Sequence, residues 1–160
     1  MNQREGCTMS DIETEFLFEM KIDVAPLADR RLAEFHQRRI AVLTGGSFEG
    51  PKIRGKVLPS GGDWIVVRPD GVTQLDVRAH LQTDDGALIY MTYRGHRHGP
   101  KEVMDRLNGG QQVDPSEYYF RTSPFFETSA EKYLWMNRMC FVAKGHRLPE
   151  GPVYRVYTVL

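Results

Sequence analysis

The sequence predicts an all-β fold, on three observations. Residues 75–94, LDVRAHLQTDDGALIYMTYR, alternate apolar and polar positions on either side of a three-residue turn, which defines a β-hairpin. Eight or nine strand-like runs recur along the chain, at intervals near the roughly 8 to 12 residues typical of sandwiches and barrels. Only Gly99 to Leu107 reads as a convincing helix, so hairpins must join most strands. A closed antiparallel barrel accounts for glycine-rich corners and leaves no exposed edge; a sandwich is the alternative.

After a polar tail over residues 1–13, Thr14 to Val24 sets Phe16, Phe18, Met20 and Ile22 against Glu15, Glu19 and Lys21, an amphipathic strand. Ala25 to Gln37 is charged and irregular, a connection with at most one helical turn near Arg30 to Phe35. Arg39 to Thr44 is a short strand entering Gly45 to Pro51, where paired glycines predict a sharp bend. Lys52 to Leu58 and Trp64 to Arg68 read as strands around a turn at Pro59 to Gly62, before Pro69-Asp70-Gly71 reverses the chain.

In the hairpin, Asp84-Asp85-Gly86 suits a type I turn with glycine in the left-handed position. Thr83 then faces Ala87, and counting outward pairs Leu81 with Ile89, Ala79 with Met91 and Val77 with Tyr93 on an apolar face. The opposite face carries Asp76, Arg78, His80, Gln82, Leu88, Tyr90, Thr92 and Arg94, with Asp76 opposite Arg94 and His80 opposite Tyr90. Water or a ligand must lie against it, water being ordinary for an antiparallel sheet.

The helix places Val103, Met104 and Leu107 at helical spacing and stops at Asn108-Gly109-Gly110. Tyr118 to Thr122 is strand-like, Ser123 to Ala130 a loop, Glu131 to Trp135 one helical turn, Met136 to Ala143 a strand, and Val153 to Leu160 the last strand.

The 160 residues suit one domain, over residues 14–160. Lys plus Arg equals Asp plus Glu at 21 each, so no global charge draws the chain to nucleic acid or to an acidic membrane. No apolar run approaches the roughly 20 residues that span a bilayer, and MNQREGCTMSDIE lacks a signal peptide's apolar middle, so a soluble cytoplasmic protein is expected. Cys7 and Cys140 form neither a disulfide framework nor a metal spacing, and Cys140 reads as a small buried residue.

Four blocks, GGSFEGPKIRGKVLPSGGDW (45–64), DGVTQLDVRAHLQTDDGALIYMTYRG (70–95), YYFRTSPFFET (118–128) and YLWMNRMCFVAKGHR (133–147), occur in order and with compatible spacing. Across Phe16 to Leu160 they resemble domain-of-unknown-function family 3237, small soluble proteins. The chain departs from that pattern at Leu27 to Gln37, where family members usually carry a glycine-containing loop. The resemblance implies an antiparallel β-barrel of about eight to ten strands around a cavity, with small organic molecules as ligands and no single established reaction.

In such a barrel the polar hairpin face would point inward and bring Asp76, Arg78, Tyr90 and Arg94 to an oxygenated ligand, the apolar face packing under the helix or a partner subunit. Asp76 would accept a proton, and Arg78 or Arg94 would stabilise an enolate or carboxylate; the plainer reading is a structural ion pair. Asp63, after a Gly-Gly turn, would be a mouth carboxylate acting as acid or base, with Trp64 an aromatic wall; turns also favour Asp, and cores Trp. Tyr119 and Arg121 share a strand face opposite Phe120, where Arg121 would clamp a ligand or tie strands together. Trp135 and Asn137 share a face if a strand begins there, a pocket lining unless Asn137 serves a strand terminus. Glu127 is a further acid, in a loop.

His96-Arg97-His98 lacks a third ligand at diagnostic spacing, and Gly45-Gly46 and Gly109-Gly110 lack the context of a phosphate loop, so neither a metal nor a nucleotide cofactor is expected. The expected function is therefore small-molecule binding, with cofactor-independent acid-base chemistry of the cyclase, isomerase or lyase kind. A non-catalytic carrier or sensor is the alternative. The expected partner is a small organic molecule, with no nucleic acid or membrane, and a homo-oligomer is compatible with the sequence.

Overall fold

Alternation gives each strand one apolar side, and the chain turns that side inward by closing its sheet. The computed structural model describes residues 11–26 and 37–160. Within them run β1 (Thr14–Val24), β2 (Gln37–Glu49), β3 (Arg54–Val67), β4 (Thr73–Thr83), β5 (Leu88–His98), α1 (Lys101–Asn108), β6 (Tyr119–Glu127), a 3-10 helix (Glu131–Arg138), β7 (Phe141–Leu148) and β8 (Gly151–Val159). Each strand pairs antiparallel with the next, and β8 pairs with β1, giving a closed eight-stranded barrel. The expectations for Cys7, for residues 1–10 of the tail and for a helical turn near Arg30 fall outside the described residues.

The β4–β5 hairpin has the counted register: Asp76 faces Arg94, Val77 Tyr93, Ala79 Met91, His80 Tyr90 and Leu81 Ile89. Its turn is closed by the Thr83 N–H donating to the Ala87 carbonyl and by Gly86 at φ +88°. Asp85 anchors the turn to the 3-10 helix, accepting from Lys132 Nζ at 2.6 Å and the Tyr133 hydroxyl at 2.9 Å.

The expected inward turn of the hairpin's polar face is overturned. Val77, Ala79, Leu81, Met91 and Tyr93 are the buried side, while Arg78 and Arg94 face solvent. In so small a barrel the lumen is filled by side chains. Apolar residues from every strand therefore meet there, and a row of charges in their place would lose hydration that nothing restores. Phe18 packs on Phe48 and Phe126, with ring centroids 5.2 and 6.0 Å apart, and fills the end of the lumen near the hairpin turn.

Several expected breaks are irregularities within long strands. β2 runs through Gly45-Gly46 because Gly46 lies so close to β1 that a Cβ there would meet the Lys21 carbonyl oxygen at 2.1 Å. The expected turn at Pro59 to Gly62 is a bulge in β3. Val57 pairs with Leu81 but Gly61 with Ala79, so β3 carries two more residues than β4 over that stretch. A bulge in β1 between Phe16 and Phe18 buries Leu17 and turns Phe16 outward against Tyr157. β6 continues through the expected loop to Glu127, and the 3-10 helix takes Met136 to Arg138 from the expected strand.

α1 spans Lys101 to Asn108 and buries Val103, Met104 and Leu107. The connection that contains it joins the ends of β5 and β6. Cys140 is exposed rather than buried, because it precedes β7 in the link from the 3-10 helix. No helix among the described residues is long and apolar enough to cross a membrane.

Candidate functional site

The inserted pair in β3 leaves the inward parity of the strand unchanged, so Asp63 lies on the same side as Val57. It sits between Ala41 of β2 and Val77 of β4 and is only 7% exposed. Its Oδ1 accepts the Asp76 backbone N–H at 3.0 Å. Burial pushes the carboxyl up from 3.8 to about 7, against the opposing pull of that hydrogen bond and of Arg97. Asp63 can therefore hold or release its proton near neutral pH, a state suited to both giving and taking a proton.

Asp63 lines a cavity of about 300 Å³ at the end of the lumen away from the hairpin turn. Tyr93 of β5 and Tyr154 of β8 meet in its wall, the Tyr93 hydroxyl donating to that of Tyr154 at 2.9 Å. Burial raises the pKa of both phenols, so both stay protonated at neutrality. One O–H is used between them, and the second remains to donate onward. Arg97, the next inward position after Gly95, reaches the same cavity. Its Nε is shut off from solvent and has no hydrogen-bond partner among the described residues. Burial lowers the pKa of its guanidinium, and the like charge of Arg147 acts in the same direction.

The residues expected around a ligand are divided by the barrel wall. Asp63 is inside, whereas Asp76, Arg78, Arg94, Tyr119 and Arg121 line an outer groove of about 800 Å³. There Arg78 donates to Asp76 at 3.2 Å, and Arg94 lies 3.9 Å from the same oxygen. The plainer ion-pair reading of Asp76 and Arg78 therefore describes their geometry. Trp64 faces outward, 41% exposed, with the Arg78 guanidinium 5.2 Å from its ring centroid. Tyr90 packs at a tilt against His80, ring centroids 5.3 Å apart, and Arg121 lies over Tyr119 at 5.2 Å. Trp135 packs on Phe141 from the 3-10 helix. Asn137 accepts the Thr128 N–H and donates to the Thr128 carbonyl, both at 2.9 Å, so it holds a loop rather than a pocket. Glu127 is exposed at the end of β6. Among the described residues, no group of three His, Cys, Asp or Glu side chains converges as a metal would need.

Arg97 and Tyr154 are the inner residues that motif reading passes over. The signal was alternation itself: Tyr93, Gly95 and Arg97 keep one parity along β5, and Tyr154, Val156 and Thr158 keep one along β8. Within His96-Arg97-His98 the arginine reads as a spacer between two histidines.

These features define a small closed antiparallel barrel, solid at one end and holding a buried acid, a guanidinium and two phenols at the other. The chain belongs to the family described as protein of unknown function (DUF3237), whose model matches residues 12–159. It is 35% identical over 149 residues to a UPF0311 protein of Rhodopseudomonas palustris, covering 93% of this chain and 97% of that one. A crystal structure of a beta-barrel like protein from Acinetobacter baumannii superposes with a TM-score of 0.84 at 38% identity, covering 97% of this chain and all of the other. A hydroalkoxylation enzyme of Penicillium herquei is 28% identical over 126 residues, 78% of this chain and 68% of its own length.

Proposed function

We propose that the chain is an enzyme that binds a small, partly apolar, oxygenated molecule in the inner cavity and moves a proton on and off it with Asp63. The observation that carries this reading is the buried carboxyl poised near neutrality in a cavity otherwise lined largely by apolar and aromatic side chains. A carboxyl in that state supplies acid and base alike, so the chemistry calls for no cofactor. Cyclisation, isomerisation, hydration and elimination all fit that description.

The likeness to the Penicillium enzyme favours hydroalkoxylation among them, the addition of an O–H across a C=C bond. In such a step the hydroxyl gives up its proton as the C–O bond forms, and a proton is delivered to the other alkene carbon. Nothing is oxidised, and no group leaves. Asp63 as carboxylate would take the first proton and as carboxylic acid give the second. The free O–H of the Tyr93–Tyr154 pair would orient the substrate oxygen. Asp76 serves through its backbone N–H, which holds Asp63 in place, rather than through its outward side chain.

The test is a panel of hydroxyalkenes incubated with the full chain and with Asp63→Asn, together with a carbon-13 NMR titration of the Asp63 carboxyl. Cyclic ether formation by the native chain, lost by at least about a hundredfold in the variant, is expected. An Asp63 carboxyl titrating near 3.8 would overturn the acid-base role and leave a binding barrel.

A further inference from the structure

We propose that the inner cavity selects a small organic anion, a body about the size of one aromatic ring bearing a single carboxylate or enolate oxygen group, which the Arg97 guanidinium binds. This deepens the reading of the cavity as the substrate site and names the charge its ligand carries.

The first argument is an unmet donor. Arg97 Nε–H is buried without an acceptor, and a buried donor of a charged group costs more to leave unpaired than a neutral one. The Phe120 ring, 5.6 Å from the guanidinium carbon, offers only its π face. An oxyanion in the cavity, held by the part of the guanidinium that lines it, would compensate the charge that Nε–H leaves unpaired.

The second argument is charge balance. Arg97 and Arg147 both line the cavity and act on each other as like charges. Arg147 donates from its guanidinium to the Leu148 carbonyl and, through its backbone N–H, to the Tyr118 hydroxyl at 2.9 Å, all neutral acceptors. No ion pair among the described residues involves either arginine. Among the described residues, the carboxyls lining the cavity are Asp63, its pKa pushed up to about 7 by burial, and Glu150, which is exposed. Tyr93, Tyr118 and Tyr154 are uncharged there, their pKa values raised by burial. The described lining therefore holds more positive than negative charge, and an added anion offsets the excess.

The third argument is shape. Ile22, Leu43, Leu75 and Phe120 form apolar walls, and about 300 Å³ stands at the low end of the roughly 300 to 1,000 Å³ found for ligand pockets. A ligand with several charges would leave some of them against hydrocarbon. One oxyanion on an apolar body satisfies both the guanidinium, whose planar fork matches a carboxylate, and the walls.

Benzoate and its neutral isostere benzamide are the probes, titrated into the full-length native chain at about pH 6, where Asp63 is mostly protonated. Calorimetry gives affinity, and proton-nitrogen spectra follow Arg97 Nε–H. Benzoate is expected to bind at least about tenfold more tightly than benzamide and to shift the Arg97 Nε–H resonance. Arg97→Gln abolishes the discrimination, Arg97→Lys keeps part of it, and Arg94→Gln on the outer face leaves it unchanged. Equal binding of the two probes, no binding of either, or an Arg97 resonance unmoved at saturation overturns the proposal. The last readout needs no variant, so it holds even if Arg97→Gln does not fold. Benzoate on Arg97 with Asp63 titrating near its ordinary 3.8 removes the acid-base reading and keeps the anion site. A near-neutral Asp63 with no anion on Arg97 does the reverse.

Discussion

The Asp63 carboxylate oxygen accepts the Asp76 backbone N–H at 3.0 Å, joining two acidic residues whose side chains lie on opposite sides of the barrel wall. One carboxyl is dry and the other is ion-paired at the surface. Their separation shows how a single strand pair makes two electrostatic environments: the same backbone that exposes Asp76 to Arg78 and Arg94 presents its amide to Asp63.

The dry carboxyl makes stability depend on pH. Asp63 releases its proton near 3.8 when unfolded and near 7 when folded. Between those values the unfolded chain ionises while the folded one does not, so stability falls as pH rises from about 4 to about 7. Asp63→Asn keeps an acceptor for the Asp76 amide and loses that dependence. It is expected to be more stable than the native chain by about 2–4 kcal/mol at pH 8, with the difference shrinking toward pH 4, as measured by urea denaturation.

The phenol pair behaves as a unit. Tyr93→Phe strands the buried Tyr154 hydroxyl, and Tyr154→Phe does the same to Tyr93. Each single change is expected to cost about 1–3 kcal/mol, and the double change clearly less than their sum. A double-mutant cycle by chemical denaturation measures the coupling; strict additivity would show that the two hydroxyls do not depend on each other.

Gly61 fixes where Asp63 points. It has φ +91°, and a Cβ there would lie 2.1 Å from the Arg78 carbonyl oxygen. Gly61→Ala must distort the bulge, and a cost above about 2 kcal/mol is expected. With the bulge displaced, Asp63 loses its dry setting and should titrate closer to 3.8. A folded Gly61→Ala chain with Asp63 still near neutrality would show that the bulge does not position the carboxyl.

Much of the fold was legible because it rests on period-two alternation. The hairpin register follows from counting outward from Asp84-Asp85-Gly86, and every counted pair is formed. Which face turns inward was a different question. Alternation separates two faces without saying which one meets the lumen, and the inward choice comes from eight apolar faces converging at once. The site was legible in part for the same reason. Asp63 stood out beside its glycines, but Arg97 looked like a spacer between histidines, and Tyr154 lies on β8, far from Tyr93 in sequence. The bulges at Leu17 and at Pro59-Ser60 were hidden because a local run of residues does not reveal how many of them face the neighbouring strand.

The bulge in β3 also constrains how this chain can vary in length. Two extra residues leave Asp63 inside and Trp64 outside. Adding or deleting one residue between Val57 and Asp63 would exchange them, putting an indole in the lumen and the acid in water. Insertions that preserve the site must therefore come in pairs, and relatives should be aligned across this stretch by the facing of their residues before the identity of their letters.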